Sequence, residues 1–104
     1  MVCDLRDEIK NISDAIDVIK EINKDQICVR LDIIGGGEDE MKLKERCNDF
    51  LDKAIFFHGR KTNEQVLERI NFCDTLLVNS RIETFSVTTL EAIMIGKPVI
   101  VTRC

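Results

Sequence analysis

The chain contains no tryptophan and no tyrosine, and only one proline and one histidine, in 104 residues. Lacking Trp, Tyr and any basic stripe, it offers little for bases to stack on or a phosphate backbone to follow, so no nucleic-acid partner is expected. The single histidine, His58, cannot build a zinc site alone. No apolar run approaches the roughly 18 residues that a membrane helix requires. The opening Met1-Val2-Cys3-Asp4 has no basic region leading into an apolar stretch, so no signal peptide is expected. Cys3, Cys28, Cys47, Cys73 and Cys104 are odd in number and never spaced Cys-x-x-Cys, which argues against a metal cluster and a disulfide framework alike. They read mostly as buried small hydrophobes in a reducing compartment.

What is present is an ordinary globular mixture. Hydrophobic residues make up 44% and charged residues 33%, enough of each for one domain with a real core and a solvated surface. Fifteen basic against nineteen acidic residues leave a net charge of -4, which still allows a local basic pocket for a small anion. Apolar periodicity alternates between two types. Met1 to Leu5 is a short strand stub. Ile9, Ile12, Ile16, Ile19 and Ile22 recur at helical spacing and predict a helix over roughly 13–23, capped by Ser13. Ile27 to Ile34 is a β-branched strand ended by Gly35-Gly36-Gly37. Acidic Glu38, Asp39 and Glu40 open a helix whose apolar face is Leu43, Cys47, Phe50 and Leu51. Ile55 to Phe57 is a strand, and Thr62 with Gln65 forms a capping box for the next helix. Thr75 to Val78 is a fourth strand. A last helix starts at Ser86, with Leu90, Ile93 and Met94 on one side, and stops at Gly96 before Pro98. Val99 to Val101 is the fifth strand.

Strands alternating with helices imply an α/β fold, a doubly wound, Rossmann-like parallel sheet with helices on both faces. In the usual order, 3-2-1-4-5, ligands bind at the carboxyl ends of strands 1 and 4. The flanking loops are 4–11, which carries Arg6 and Lys10, and 79–85, which leads into a helix N-terminus suited to an anion. The stub at the start and the abrupt end at Cys104 predict a single domain over 1–104 that is a piece of a longer protein.

Two motifs within this frame have a plain and a functional reading. Gly35-x-Gly37-x-x-Glu40 lacks the third glycine of the dinucleotide fingerprint and follows the second strand, so it fails that pattern. It is a tight strand-to-helix turn, a close approach of backbone to ligand, or both. Glu83 and Glu91 flank the start of the last helix. On spacing alone they are two solvated glutamates; facing one crevice, they would accept hydrogen bonds from sugar and ribose hydroxyls while helix amides hold phosphate.

Glu83-Thr84-Phe85-Ser86, Leu90-Glu91-Ala92 and Gly96-Lys97-Pro98-Val99-Ile100 closely resemble the nucleotide-sugar half of retaining GT-B glycosyltransferases, the group 1 or family 4 class. Ile33-Ile34-Gly35-Gly36-Gly37-Glu38 resembles that family's glycine turn, Phe56-Phe57-His58-Gly59 its third strand end, and Lys10-Asn11 its lysine element. The resemblance implies that this is the C-terminal half of a GT-B fold and binds a nucleotide diphosphate sugar. A separate N-terminal domain of the same protein would hold the acceptor, a glycan, lipid or other group that receives a hexosyl unit. It implies that Glu91 binds ribose hydroxyls and Glu83 the sugar hydroxyls. The amides around Phe85, Ser86 and Val87 would hold the diphosphate, with Lys10 neutralising it. Gly59-Arg60-Lys61 would lie beside the base, and Gly35 and Gly37 would let the backbone approach the nucleotide. Glu83 and Lys10 carry the catalytic contribution, and neither a metal nor a cofactor is implied. The family's usual catalytic histidine belongs to the other half, so His58 does not inherit that role. Asp4 stands where the family commonly places arginine; an acid there would repel diphosphate, and Arg6 is the nearby substitute. The resemblance further implies a cytoplasmic enzyme of polysaccharide biosynthesis, peripheral to the membrane through the missing half, and a 104-residue domain inactive by itself. The alternatives are a sugar-nucleotide epimerase-like domain and a non-catalytic nucleotide-binding module.

Overall fold

The computed structural model describes residues 1–3, 5–78 and 87–101. Their elements are α1 (Asp7–Lys10), α2 (Ile12–Ile22), β1 (Leu31–Ile33), α3 (Glu40–Cys47) and a 3-10 turn (Asn48–Phe50). Then follow β2 (Ile55–Phe57), α4 (Asn63–Phe72), β3 (Leu76–Val78), α5 (Val87–Ile95) and β4 (Val99–Val101). β1 runs parallel to β2 with Asp32 opposite Phe56, and β3 runs parallel to β4 with Leu77 opposite Ile100. The first residues join β1 through a parallel bridge between Val2 and Ile34, where the Ile34 amide donates to Met1 and the Cys3 amide donates to Ile34. The result is a mixed α/β fold with short parallel strand pairs. Among the described residues no helix is long and apolar enough to cross a membrane.

Side chains alternate between two cores, as the period of two in an extended chain demands. One core gathers Met1, Leu5, Leu31, Ile33 and Ile55 with Ile12, Ile16 and Ile19 of α2 and Leu43 and Cys47 of α3, and Leu77 packs at its margin. The other gathers Ile34, Leu76, Val66 and Ile70 of α4 and Ala92 of α5, with Val2, Val78 and Val99 beside it. Each fully buried isoleucine or leucine in these cores contributes roughly 1.5–3 kcal/mol relative to exposure.

Several expectations are corrected. The strand expected from Ile27 is ordered as a ladder only from Leu31. Before it, the buried Asn23 side chain accepts from the Cys28 and Val29 amides and donates to the Val29 carbonyl, taking groups that a longer strand would have given to a neighbour. The single helix expected after the stub is two. Asn11 adopts a left-handed conformation (φ 53°) and turns the chain between α1 and α2, so Ile9 belongs to a different helix from Ile12. Ser13 does not cap α2; the Asp7 carboxylate accepts from the Ser13 amide at 2.7 Å. The apolar face expected on α5 faces outward: Leu90, Ile93 and Met94 are 48%, 60% and 79% exposed, while Ala92 is fully buried. At 100° per residue, those three positions lie well around the helix from Ala92. The small alanine is the residue that lets α5 approach the other elements of its core.

Other local readings hold. The Thr62 hydroxyl accepts from the Gln65 amide and the Gln65 side chain accepts from the Thr62 amide, a complete capping box. Gly96 (φ 89°) closes α5, its amide donating to Ile93 and the Lys97 amide to Ala92, the paired bonds of a Schellman ending.

Candidate functional site

The site begins where the first residues, the glycine turn and the loop after β2 meet. Gly35 has φ 138°, and a Cβ there would stand 1.8 Å from the Cys3 carbonyl oxygen. A Cβ on Gly37 would stand 2.7 Å from the Leu5 nitrogen. Glycine at both positions is therefore required by the chain lying against the turn. That contact is sealed by the Leu5 amide donating to Gly36 and the Asp39 amide to Leu5. On the other side, the Gly35 amide donates to the Gly59 carbonyl at 2.9 Å and the His58 amide to Ile33 at 2.9 Å. Gly59 takes φ 74° so that the chain can turn toward Arg60.

Between these segments lies a groove of about 220 Å³ lined by Arg6, Gly36, Gly37, Glu38 and Arg60. Arg60 is held at its rim by donating from Nη2 to the Gly36 carbonyl at 3.2 Å. Arg6 is exposed and immediately precedes α1. Two guanidinium groups around one small groove suit a phosphate or carboxylate, because their forked donors match such oxygens in pairs. Glu38 places a carboxylate on the same wall, able to accept from a hydroxyl.

Carboxylates also hold the neighbouring helices. Asp39, at the start of α3, accepts from the Asp7 amide at 2.8 Å, and Asp7 in turn accepts from Ser13. The arginine-bearing loop is thereby tied to the first turns of α1, α2 and α3, whose free amides favour negative charge.

Of the residues expected at the site, Gly37 and Arg60 line this groove, and Gly35 and Gly59 are bonded to each other behind it. Lys10 ends α1, and Val87 begins α5; the side chains of both lie outside the described residues. Glu83, Phe85 and Ser86, like Asp4, also lie outside them. Glu91 sits on α5 beside buried Ala92 and is half-buried. It is not among the residues lining the groove.

Sequence reasoning missed a second cluster beside the groove. His58 Nε2 lies 2.6 Å from Asp32 Oδ1. Arg30 donates to both Asp32 oxygens at 3.0–3.1 Å and stands over the Phe56 ring, 4.0 Å from its centroid. Partial burial pushes the Asp32 carboxyl up, but hydrogen bonds from Arg30 and His58 outweigh it and hold the group below its ordinary value. The available signal was Asp32 itself, an acid inside the apolar run Leu31-Asp32-Ile33-Ile34. Its partner could not be named before the register was known.

Comparison with known proteins fits this geometry of glycine turn, parallel strand ends and paired arginines. The family model for glycosyl transferases group 1 matches residues 1–104. The chain is 33% identical over 98 residues to the uncharacterized glycosyltransferase MJ1178 of Methanocaldococcus jannaschii, an alignment covering 90% of this chain and 25% of that protein. It thus spans about a quarter of the length of that curated relative. With its full length matched and its glycine turn and strand-end loops assembled around one groove, the chain belongs to the group 1 glycosyl transferases.

Proposed function

We propose that this chain is the donor-binding part of a retaining glycosyltransferase of the GT-B, family 4 type, and that it holds a nucleotide diphosphate sugar. The observation carrying the reading is the groove with Arg6 and Arg60 on its walls beside the ends of parallel strands. The pairing of residues 1–3 with β1 and the placing of Leu76–Val78 across both cores support a doubly wound order in which the first segment lies between β1 and β3. The crevice between the carboxyl ends of that first segment and β3 is then where α/β sheets take ligands. Arg6, with Lys10, compensates for Asp4 and neutralises the diphosphate. Arg60 borders the nucleotide, Glu91 accepts from ribose hydroxyls, and Glu83 accepts from the sugar. The amides at Phe85, Ser86 and Val87 complete the anion site. Negative charge grows on the diphosphate as the sugar bond breaks, so fixed cations here stabilise that transition state. A hexosyl group then passes to an acceptor held by another domain of a longer protein.

The test is calorimetric titration of UDP, GDP and ADP and their sugar forms into the protein. One diphosphate family binds, its sugar form at least as tightly, and Arg6→Ala and Arg60→Ala each weaken it about tenfold. Binding of free nucleotides alone, or binding unchanged in both variants, would replace this reading with a nucleotide-binding module.

A further inference from the structure

We propose that His58 and Asp32 are positioning residues for Arg60, an inference that rests on the donor-site reading above. Arg60 follows His58 by two residues across Gly59, a residue type whose own backbone is permissive and here takes φ 74°. Four hydrogen bonds help to hold that loop. The His58 amide donates to Ile33, Gly59 accepts from the Gly35 amide, and Arg60 donates to the Gly36 carbonyl. The fourth is the 2.6 Å bond between the His58 ring and Asp32. It is the only one of the four that joins two side chains, and removing it leaves the backbone pairs of His58 and Gly59 in place. It is also sheltered: the His58 side chain is 15% exposed and that of Asp32 33% exposed. Asp32 cannot follow His58 if the loop shifts, because it lies in the β1–β2 ladder and is gripped through both oxygens by Arg30. Arg30 is steadied by the Phe56 ring, which lies opposite Asp32 in the register. The chain Phe56–Arg30–Asp32–His58 therefore ties the rigid strand pair to the loop that carries Arg60 into the groove. His58 and Asp32 thereby set the place of a guanidinium carried two residues beyond the histidine.

His58→Leu keeps the bulk and removes the bond, and His58→Gln keeps a nitrogen near the place of Nε2. Two readouts separate this proposal from the reading it rests on. In the ligand-free protein, amide exchange at Gly35, whose partner is Gly59, should rise at least about tenfold in His58→Leu and return toward the parent rate in His58→Gln. Exchange at Leu43, in α3, should stay unchanged and report an intact fold. In UDP, GDP and ADP titrations, His58→Leu should weaken binding roughly three- to tenfold. The same substitution in an Arg60→Ala background should add almost nothing, because its effect passes through Arg60. Asp32→Ala, which removes the other end of the bond, repeats both readouts should His58→Leu fail to fold. Unchanged Gly35 exchange, or losses from His58→Leu and Arg60→Ala that simply add, would overturn the proposal. Failure of the parent to bind any of the three nucleotides would overturn the donor-site reading and with it the binding role, while Gly35 exchange still decides whether the anchor holds the loop.

Discussion

Arg60 donates to the Gly36 carbonyl at 3.2 Å, and its Nε stands 3.1 Å from where a Cβ on Gly36 would be. The arginine lies on the glycine so closely that any side chain there moves it. Gly36→Ala should therefore shift Arg60 by a few tenths of an ångström and weaken nucleotide binding severalfold. Because the atoms in the way belong to a flexible side chain, stability should fall by less than about 1 kcal/mol. Titration and thermal melts of the one variant check both halves.

Gly35→Ala should behave in the opposite way. Its Cβ would collide with the Cys3 carbonyl, and φ 138° is strained for any other residue. A loss of roughly 3 kcal/mol or more is expected, read as a lowered melting temperature before any binding is measured. Equal melts for Gly35→Ala and Gly36→Ala would show that the first residues do not lie against the turn.

Glu91→Ala tests the ribose assignment. Loss of charge-assisted hydrogen bonds should cost about 1.5–3 kcal/mol of nucleotide binding, about ten- to hundredfold in affinity. Glu91 is half-buried and Ala92 beside it carries the packing of α5, so melting should change little. Glu40→Ala, in the first turn of α3, is the control and should leave affinity alone. A Glu91→Ala protein that binds as tightly as the parent makes that glutamate structural.

Thiol labelling reports the core. Cys28 is exposed and Cys47 is fully buried, its thiol pushed up to about 11 chiefly by burial. Iodoacetamide at pH 8 should modify Cys28 well before Cys47, since the thiolate is the reacting form. Peptide mapping after a short exposure would show the order.

The acid limb of stability should depend on Asp32. Its carboxyl is held below its ordinary value in the folded chain, so it stabilises the fold above the unfolded carboxyl range and that contribution fades as pH falls through the folded value. Asp32→Asn should lower stability near neutral pH and flatten the loss below about pH 4. Melting curves of parent and variant between pH 3 and pH 7 give the comparison.

Much of this was legible along the chain, and the reasons are local. The Thr62–Gln65 capping box and the Gly96 ending need only residues within one turn of each other. The alternation of β-branched strands and helical periods sets the element order, and the α/β class follows from it. Leu43 and Cys47 were placed inside by the same periods. The family likeness was carried by short motifs whose spacing is fixed.

The tertiary structure decided what depends on distant partners. Asp7 caps α2 only because the chain doubles back at Asn11, and Asp32 meets His58 only because β1 and β2 run parallel in that register. Glycine at 35 and 37 is explained by the carbonyl and amide of a segment more than thirty residues away. The buried side of α5 is set by Ala92 because a small residue lets it approach its core, although Leu90, Ile93 and Met94 are more apolar by composition. A sequence specifies which conformations each stretch prefers; which of its surfaces meet is a property of the packed whole, where close approach and paired charges outweigh local preference.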